Sequence, residues 1–72
     1  MPTESPVKPT VSPTELAVLQ LVAEGQKNHL IGAALGLSPL TVKTHLANIG
    51  RKLGTGNRAG MVGVAFRRGL IR

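Results

Sequence analysis

Cysteine, tryptophan, tyrosine and aspartate are all missing from these 72 residues, and phenylalanine occurs once. Without cysteine there is neither a disulfide staple nor a thiolate metal site. The acids are Glu4, Glu15 and Glu24, which fall in the expected arm and first helix. Ser12 and Ser38 each precede a proline and have no partnered base, so nothing supports nucleophilic or acid–base catalysis. No run of 18 apolar residues is present to form a membrane span, and no charged stretch followed by an apolar run marks a secretory signal. The glycines follow no strand, which removes a phosphate-cradling loop. His29 and His45 fall on different expected helices with no third ligand beside them, so no metal and no cofactor are expected. A chain this short forms one domain, burying only about 60% of its unfolded surface.

What is present is positive charge. The formal net charge is +6, and all three acids lie before Gly25. Beyond that point come Lys27, Lys43, Arg51, Lys52, Arg58, Arg67, Arg68 and Arg72, with no acid among them. A long stretch of one sign repels itself unless a polyanion binds it. Double-stranded nucleic acid fits best, with an anionic membrane surface behind it. The expected setting is the cytoplasm, in association with the nucleoid.

The punctuation of the chain reads as helices. Residues 1–11 carry Pro2, Pro6 and Pro9 and are expected to be a flexible, proline-rich arm. Ser12-Pro13-Thr14-Glu15 combines an N-cap, a proline at the first helical position and a glutamate three residues after the cap. Leu16, Leu19, Val22 and Ala23 follow at helical spacing, giving a first helix over about residues 13 to 24 before Gly25. Asn28 is expected to cap a two-turn second helix ending at Gly36. Ser38-Pro39 starts a third, in which Val42, Leu46, Ile49 and Leu53 form one apolar stripe before Gly54. Asn57 caps a fourth, running to about Arg68 before Gly69. There is no strand pattern: the expected fold is all-α, four helices over residues 12–72.

Two helices joined only by Gly36-Leu37-Ser38 must cross steeply, as in a helix-turn-helix over about residues 28–47. Gly32, four residues before Gly36, supplies the small residue such a crossing needs. Leu37 is expected to plug the elbow, and Val42 to pack on Ile31 and Leu35. At 100° per residue, burying the stripe of the third helix (about 39–53) turns Thr44, Ala47, Asn48 and Arg51 outward, flanked by Thr41, Lys43 and Lys52. That face has no acid and no bulky apolar residue beyond Leu40, and suits a major groove about 12 Å wide. Lys43 can donate to guanine, Thr44 can offer a methyl or hydroxyl, and Ala47 can touch a thymine methyl. Arg51 and Lys52, farther along, suit phosphates, as do the Ser38 hydroxyl and the helix N-terminus. Arg67 and Arg68 suit either DNA or the helix macrodipole.

Val11-Ser-Pro-Thr-Glu15, Ala23-Glu-Gly25, Leu35-Gly-Leu-Ser38, Thr41-Val-Lys-Thr-His-Leu-Ala-Asn-Ile49, Lys52-Leu-Gly54, Asn57-Arg58 and Gly69-Leu-Ile71 run in register through residues 11 to 71. In these motifs the sequence resembles the LuxR/FixJ/NarL-type, GerE-like DNA-binding domain. The resemblance implies a transcription regulator whose second and third helices read DNA. It implies base contacts at Lys43, Thr44 and Ala47, to which Asn48 is added from the outward face. Backbone contacts are implied near Lys27, Ser38, Thr41, His45 and Arg51, with Lys52 beside them. It further implies a symmetric homodimer through the fourth helix. There Met61 and Val64, opposite Ala59, Val62 and Phe66, are expected to be an exposed apolar pair, with Ala65 and Arg68 completing the seam. RNA polymerase or a regulatory protein is a further expected partner.

Three departures stand out. Leu30 and Gly32 replace a glutamate and an alanine usual in the family, and Gly60 replaces an acid. Gly50, Gly60 and Gly63 are helix-interior glycines, each costing about 1 kcal/mol and predicting a softened fourth helix. Alternatives are a sigma-factor region 4-like module contacting promoter and polymerase, and a protein-interaction module that has lost DNA reading. A cationic membrane-binding peptide stands third. The fourth helix argues against the first, the intact Thr41–His45 run against the second. The chain is expected either to stand alone or to be the C-terminal domain of a larger regulator.

Overall fold

A computed structural model describes residues 11–72 as four helices: α1 (Pro13–Ala23), α2 (Asn28–Leu35), α3 (Pro39–Leu53) and α4 (Arg58–Arg67). The arm expected over residues 1–11 lies outside the described residues except for Val11, which is half-buried and packs against the core. Helix α1 opens on a reciprocal pair of bonds. The Glu15 amide donates to Ser12 Oγ at 3.1 Å, and the Ser12 amide donates to Glu15 Oε1 at 2.8 Å. Helix α1 closes at Ala23, one residue before its expected end, with Glu24 as its C-cap.

All four helices end alike. A glycine with positive φ follows, and the next amide reaches back five residues, from Gln26 to Leu21, Leu37 to Gly32, Thr55 to Gly50 and Leu70 to Ala65. This Schellman arrangement satisfies carbonyls that the helix leaves open, and it turns the chain sharply. Its consequence is largest at Gly36 (φ +71°), where the turn brings the Leu37 carbonyl onto α2. A Cβ built on Gly32 would lie 2.3 Å from that oxygen, so the close approach of the turn to α2 depends on the missing side chain.

The core joins α1 (Val18, Leu19, Val22) and Ile31 of α2 to the stripe Val42, Leu46, Ile49 and Leu53 of α3. Met61 and Ala65 of α4 and Ile71 complete it. Helix α3 packs on all three other helices, as α1 does. Leu35 and Leu37 are partly buried and pack against this cluster.

Three expectations are corrected. Asn28 is not the cap of α2. Lys27 occupies that position without a side-chain bond, and Asn28 is the first helical residue. Its Oδ1 instead accepts from Arg58 Nη1 at 2.8 Å, a charge-assisted bond stronger than a neutral amide offers. Met61 and Ala65 are not exposed: they are 7% and 0% accessible, while Phe66, placed on the opposite face, is 49% accessible. Both faces of α4 are apolar, so periodicity did not decide between them. Met61 packs beside Gly50, its sulfur 3.9 Å from where a Cβ on that glycine would stand. Finally, Gly50 and Gly60 are not merely soft spots. A Cβ on Gly50 would meet the Thr55 carbonyl at 2.6 Å, and one on Gly60 the Thr55 hydroxyl at 2.4 Å, so both make room for the α3–α4 turn.

Candidate nucleic-acid interface

The outer face of α3 follows from the burial of its inner one. Leu40, Lys43, Thr44, Ala47 and Arg51 are all exposed, at spacings that place them along one side of the helix. The helix begins where Ser38 accepts from the Thr41 amide at 3.1 Å, and the Ser38 and Thr41 hydroxyls lie 2.9 Å apart. Both residues are exposed beside the helix N-terminus, whose open amides and dipole favour an anion. Lys27, at the start of α2, is exposed as well.

Several side chains are already engaged. Thr44 donates its hydroxyl to the Leu40 carbonyl at 3.1 Å. The Arg51 guanidinium donates to Asn48 Oδ1, which holds both residues against the helix. Asn48 is half-buried rather than fully outward, and so is His45. Between Lys43, Ala47 and Arg51 on one side and the Thr55–Gly56 turn on the other lies a shallow, open cleft of about 530 Å³, with Met61 beneath. That turn was not singled out from sequence, since its proximity to α3 depends on Gly50.

Lys52 is placed differently from the rest of the expected phosphate-binding set. Its ammonium lies 2.6 Å from Glu15 Oε1, in an ion pair joining α3 to the first turn of α1. Burial raises the Glu15 carboxyl pKa, but the Lys52 ammonium and the bonds from Ser12 outweigh it and hold the group below its ordinary 4.5. Glu15 therefore serves twice, as capping-box acceptor and as the counter-ion of Lys52. Sequence reasoning gave it only the first role.

Arg58 was also missed. Besides Asn28, its guanidinium donates to the Gln26 carbonyl at 2.8 Å, tying the α1–α2 turn to α4 and so fixing where α2 sits. No spacing rule links positions 28 and 58. Of the residues expected in a seam on α4, Val64 is half-buried and Arg68 exposed, while Met61 and Ala65 belong to the core. Among the described residues no group of three His, Cys, Asp or Glu side chains comes together, and no helix is long and apolar enough to cross a membrane.

Residues 9–65 match the family described as GerE, bacterial regulatory proteins, luxR family. The chain belongs to that family. Its match takes in α1, α2 and α3 whole and most of α4, so the exposed face of α3 belongs to a luxR-type domain. The sequence is 45% identical over 60 residues to a Mycobacterium bovis protein named as an HTH-type transcriptional regulator, covering 83% of this chain and 7% of that one. It is 42% identical over 67 residues to the transcriptional regulatory protein NarL of Mycobacterium tuberculosis, covering 93% of this chain and 31% of that one. It is 38% identical over 58 residues to the transcriptional regulatory protein DegU of Brevibacillus brevis, covering 81% and 25%. The luxR-type chain described here thus corresponds to a third or less of the length of these relatives.

Proposed function

We propose that the chain is a sequence-specific DNA-binding transcription regulator that inserts α3 into the major groove. The observation that carries this reading is the outer face of α3, a row of exposed residues containing two cations and no acid. A helix with its side chains is about 10–12 Å across, matching a groove about 12 Å wide. Lys43 donates to guanine O6 and N7, while Thr44 and Ala47 lie against neighbouring base edges, with Asn48 at the margin. Ser38, Thr41 and Lys27 hold phosphates at the N-terminal end of the reading unit, and His45 and Arg51 lie on its flanks. Lys52, committed to Glu15, contributes mainly by fixing α3 on α1.

Two copies bind half-sites related by a dyad, through a seam on α4 that uses Val64 and Arg68. Met61 and Ala65 support that seam from behind, in the core. The family and the named regulators among its relatives support the reading, as does the excess of basic residues.

Selection of bound duplexes from a random pool tests it, run with the wild type and with a Lys43→Ala/Thr44→Ala double variant. A pseudo-palindromic motif that blurs in the variant is the expected result. Equal binding by both proteins, with no motif and erased by moderate salt, would leave backbone attraction alone and refute sequence reading.

A further inference from the structure

Leu40 is 72% accessible, well above Leu30 and Phe66, which are 46% and 49% accessible. It contributes nothing to the core, and it is the second residue of α3, on the same side of the helix as Lys43, Thr44 and Ala47. In helix-turn-helix proteins it is the N-terminal residues of the second helix that meet base edges. A bulky apolar side chain left in water at that end is covered only when something apolar approaches it.

The neighbouring Thr44 changes character for a structural reason. Its hydroxyl donates back to the Leu40 carbonyl at 3.1 Å, which commits its proton and leaves the γ-methyl, beside the oxygen's acceptor lone pairs, for contact with a base. Leu40, the Thr44 methyl and the Ala47 methyl then follow one another at i, i+4 and i+7. With a rise of 1.5 Å per residue they cover about 10.5 Å of helix axis, or roughly three base-pair steps of 3.4 Å. Across the major-groove edges of the four bases the apolar feature is the thymine 5-methyl.

We infer that Leu40 is a specificity-determining residue that packs on a thymine 5-methyl, forming with Thr44 and Ala47 a strip that reads methyl groups across about three base-pair steps. This rests on the DNA-reading assignment of α3 and deepens it. The half-site recognised contains thymines in that span, beside the guanine held by Lys43. Specificity there comes from shape and apolar contact more than from hydrogen bonds, and loses strength when the methyl is removed without altering base pairing.

Deoxyuridine provides that removal. In duplexes selected by the wild type, each thymine is replaced in turn by deoxyuridine, and affinities are measured for wild type, Leu40→Ala and Leu40→Lys. Circular dichroism checks that the variants melt as the wild type does, as expected for so exposed a position. The expected result is a loss of about fourfold at one thymine for the wild type, the worth of one methyl removed from water. That loss disappears in both variants, while the penalties at other thymines persist. If the wild type selects a motif but its uracil penalties are unchanged in Leu40→Ala, or absent throughout, Leu40 is a bystander and the methyl-reading strip is refuted, with DNA reading by α3 left standing. If the wild type selects no motif at all, it is the DNA-reading assignment that fails, and the inference falls with it.

Discussion

Replacing Lys52 by Met tests the electrostatic tie between α3 and α1. The Lys52 side chain is 27% accessible and that of Glu15 6%, with 2.6 Å between ammonium and carboxylate. Methionine keeps most of the aliphatic stem but leaves Glu15 with a buried charge and no counter-ion. Removing one partner of a fully buried pair costs about 3–5 kcal/mol. Solvent reaching Lys52 screens part of that, so a loss of about 2 kcal/mol at neutral pH is expected. For a domain of this size that lowers the melting temperature by roughly 8–16 °C. The pH dependence has a definite sign. Glu15 is held below its ordinary 4.5 in the folded chain, so its contribution is complete above 4.5 and is lost as pH falls through the lower folded value. The gap between wild type and Lys52→Met should therefore be widest near neutrality and narrow as the pH is taken below 4.5. Urea denaturation followed by circular dichroism at several pH values measures both features. A variant as stable as the wild type at neutral pH, or a gap that does not change with pH, would refute the reasoning.

Gly32→Val should destabilise the domain by at least about 3 kcal/mol, because a Cβ already falls 2.3 Å from a backbone oxygen. Gly63→Ala, whose new methyl meets only the mobile end of Arg67 at 3.4 Å, should stabilise it by up to about 1 kcal/mol in the same urea titration. Arg58→Ala removes two 2.8 Å bonds between α4 and the α1–α2 region and should cost about 2 kcal/mol in stability while leaving the selected DNA motif unchanged. A motif altered in Arg58→Ala would refute a purely stabilising role, since the residue would then act on DNA directly or through the position of α2. If each copy neutralises about five phosphates, the logarithm of the binding constant should fall against the logarithm of salt with a slope of about −4 to −5, measured by fluorescence anisotropy. A slope near zero would remove phosphate contacts from the account.

How much was legible in the sequence depended on how local each interaction is. The starts of α1 and α3 were written in Ser12-Pro13-Thr14-Glu15 and Ser38-Pro39, because a cap and its partner lie within three residues. The helix ends were written in Gly25, Gly36, Gly54 and Gly69, where the turn calls for positive φ. The stripe of α3 was legible because one face is apolar and the other is not, which also settled the outward side of Lys43, Thr44 and Ala47. The start of α2 was less so: Asn28 has the chemistry of a cap, but Arg58 lies thirty residues away and no local rule brings it in.

The sequence by itself therefore determined the four helices, the tight α2–α3 turn and the acid-free outer face of α3, since each follows from contacts within a few residues or from a one-sided periodicity. The tertiary structure alone decided which apolar face of α4 enters the core. It also decided that Lys52 serves Glu15 rather than standing free on the surface, and that Thr55 closes over Gly50. These are choices between partners of similar chemistry. Only the packing of distant segments against one another distinguishes them, because the free energy of a buried methionine or a paired lysine depends on what the rest of the chain places beside it.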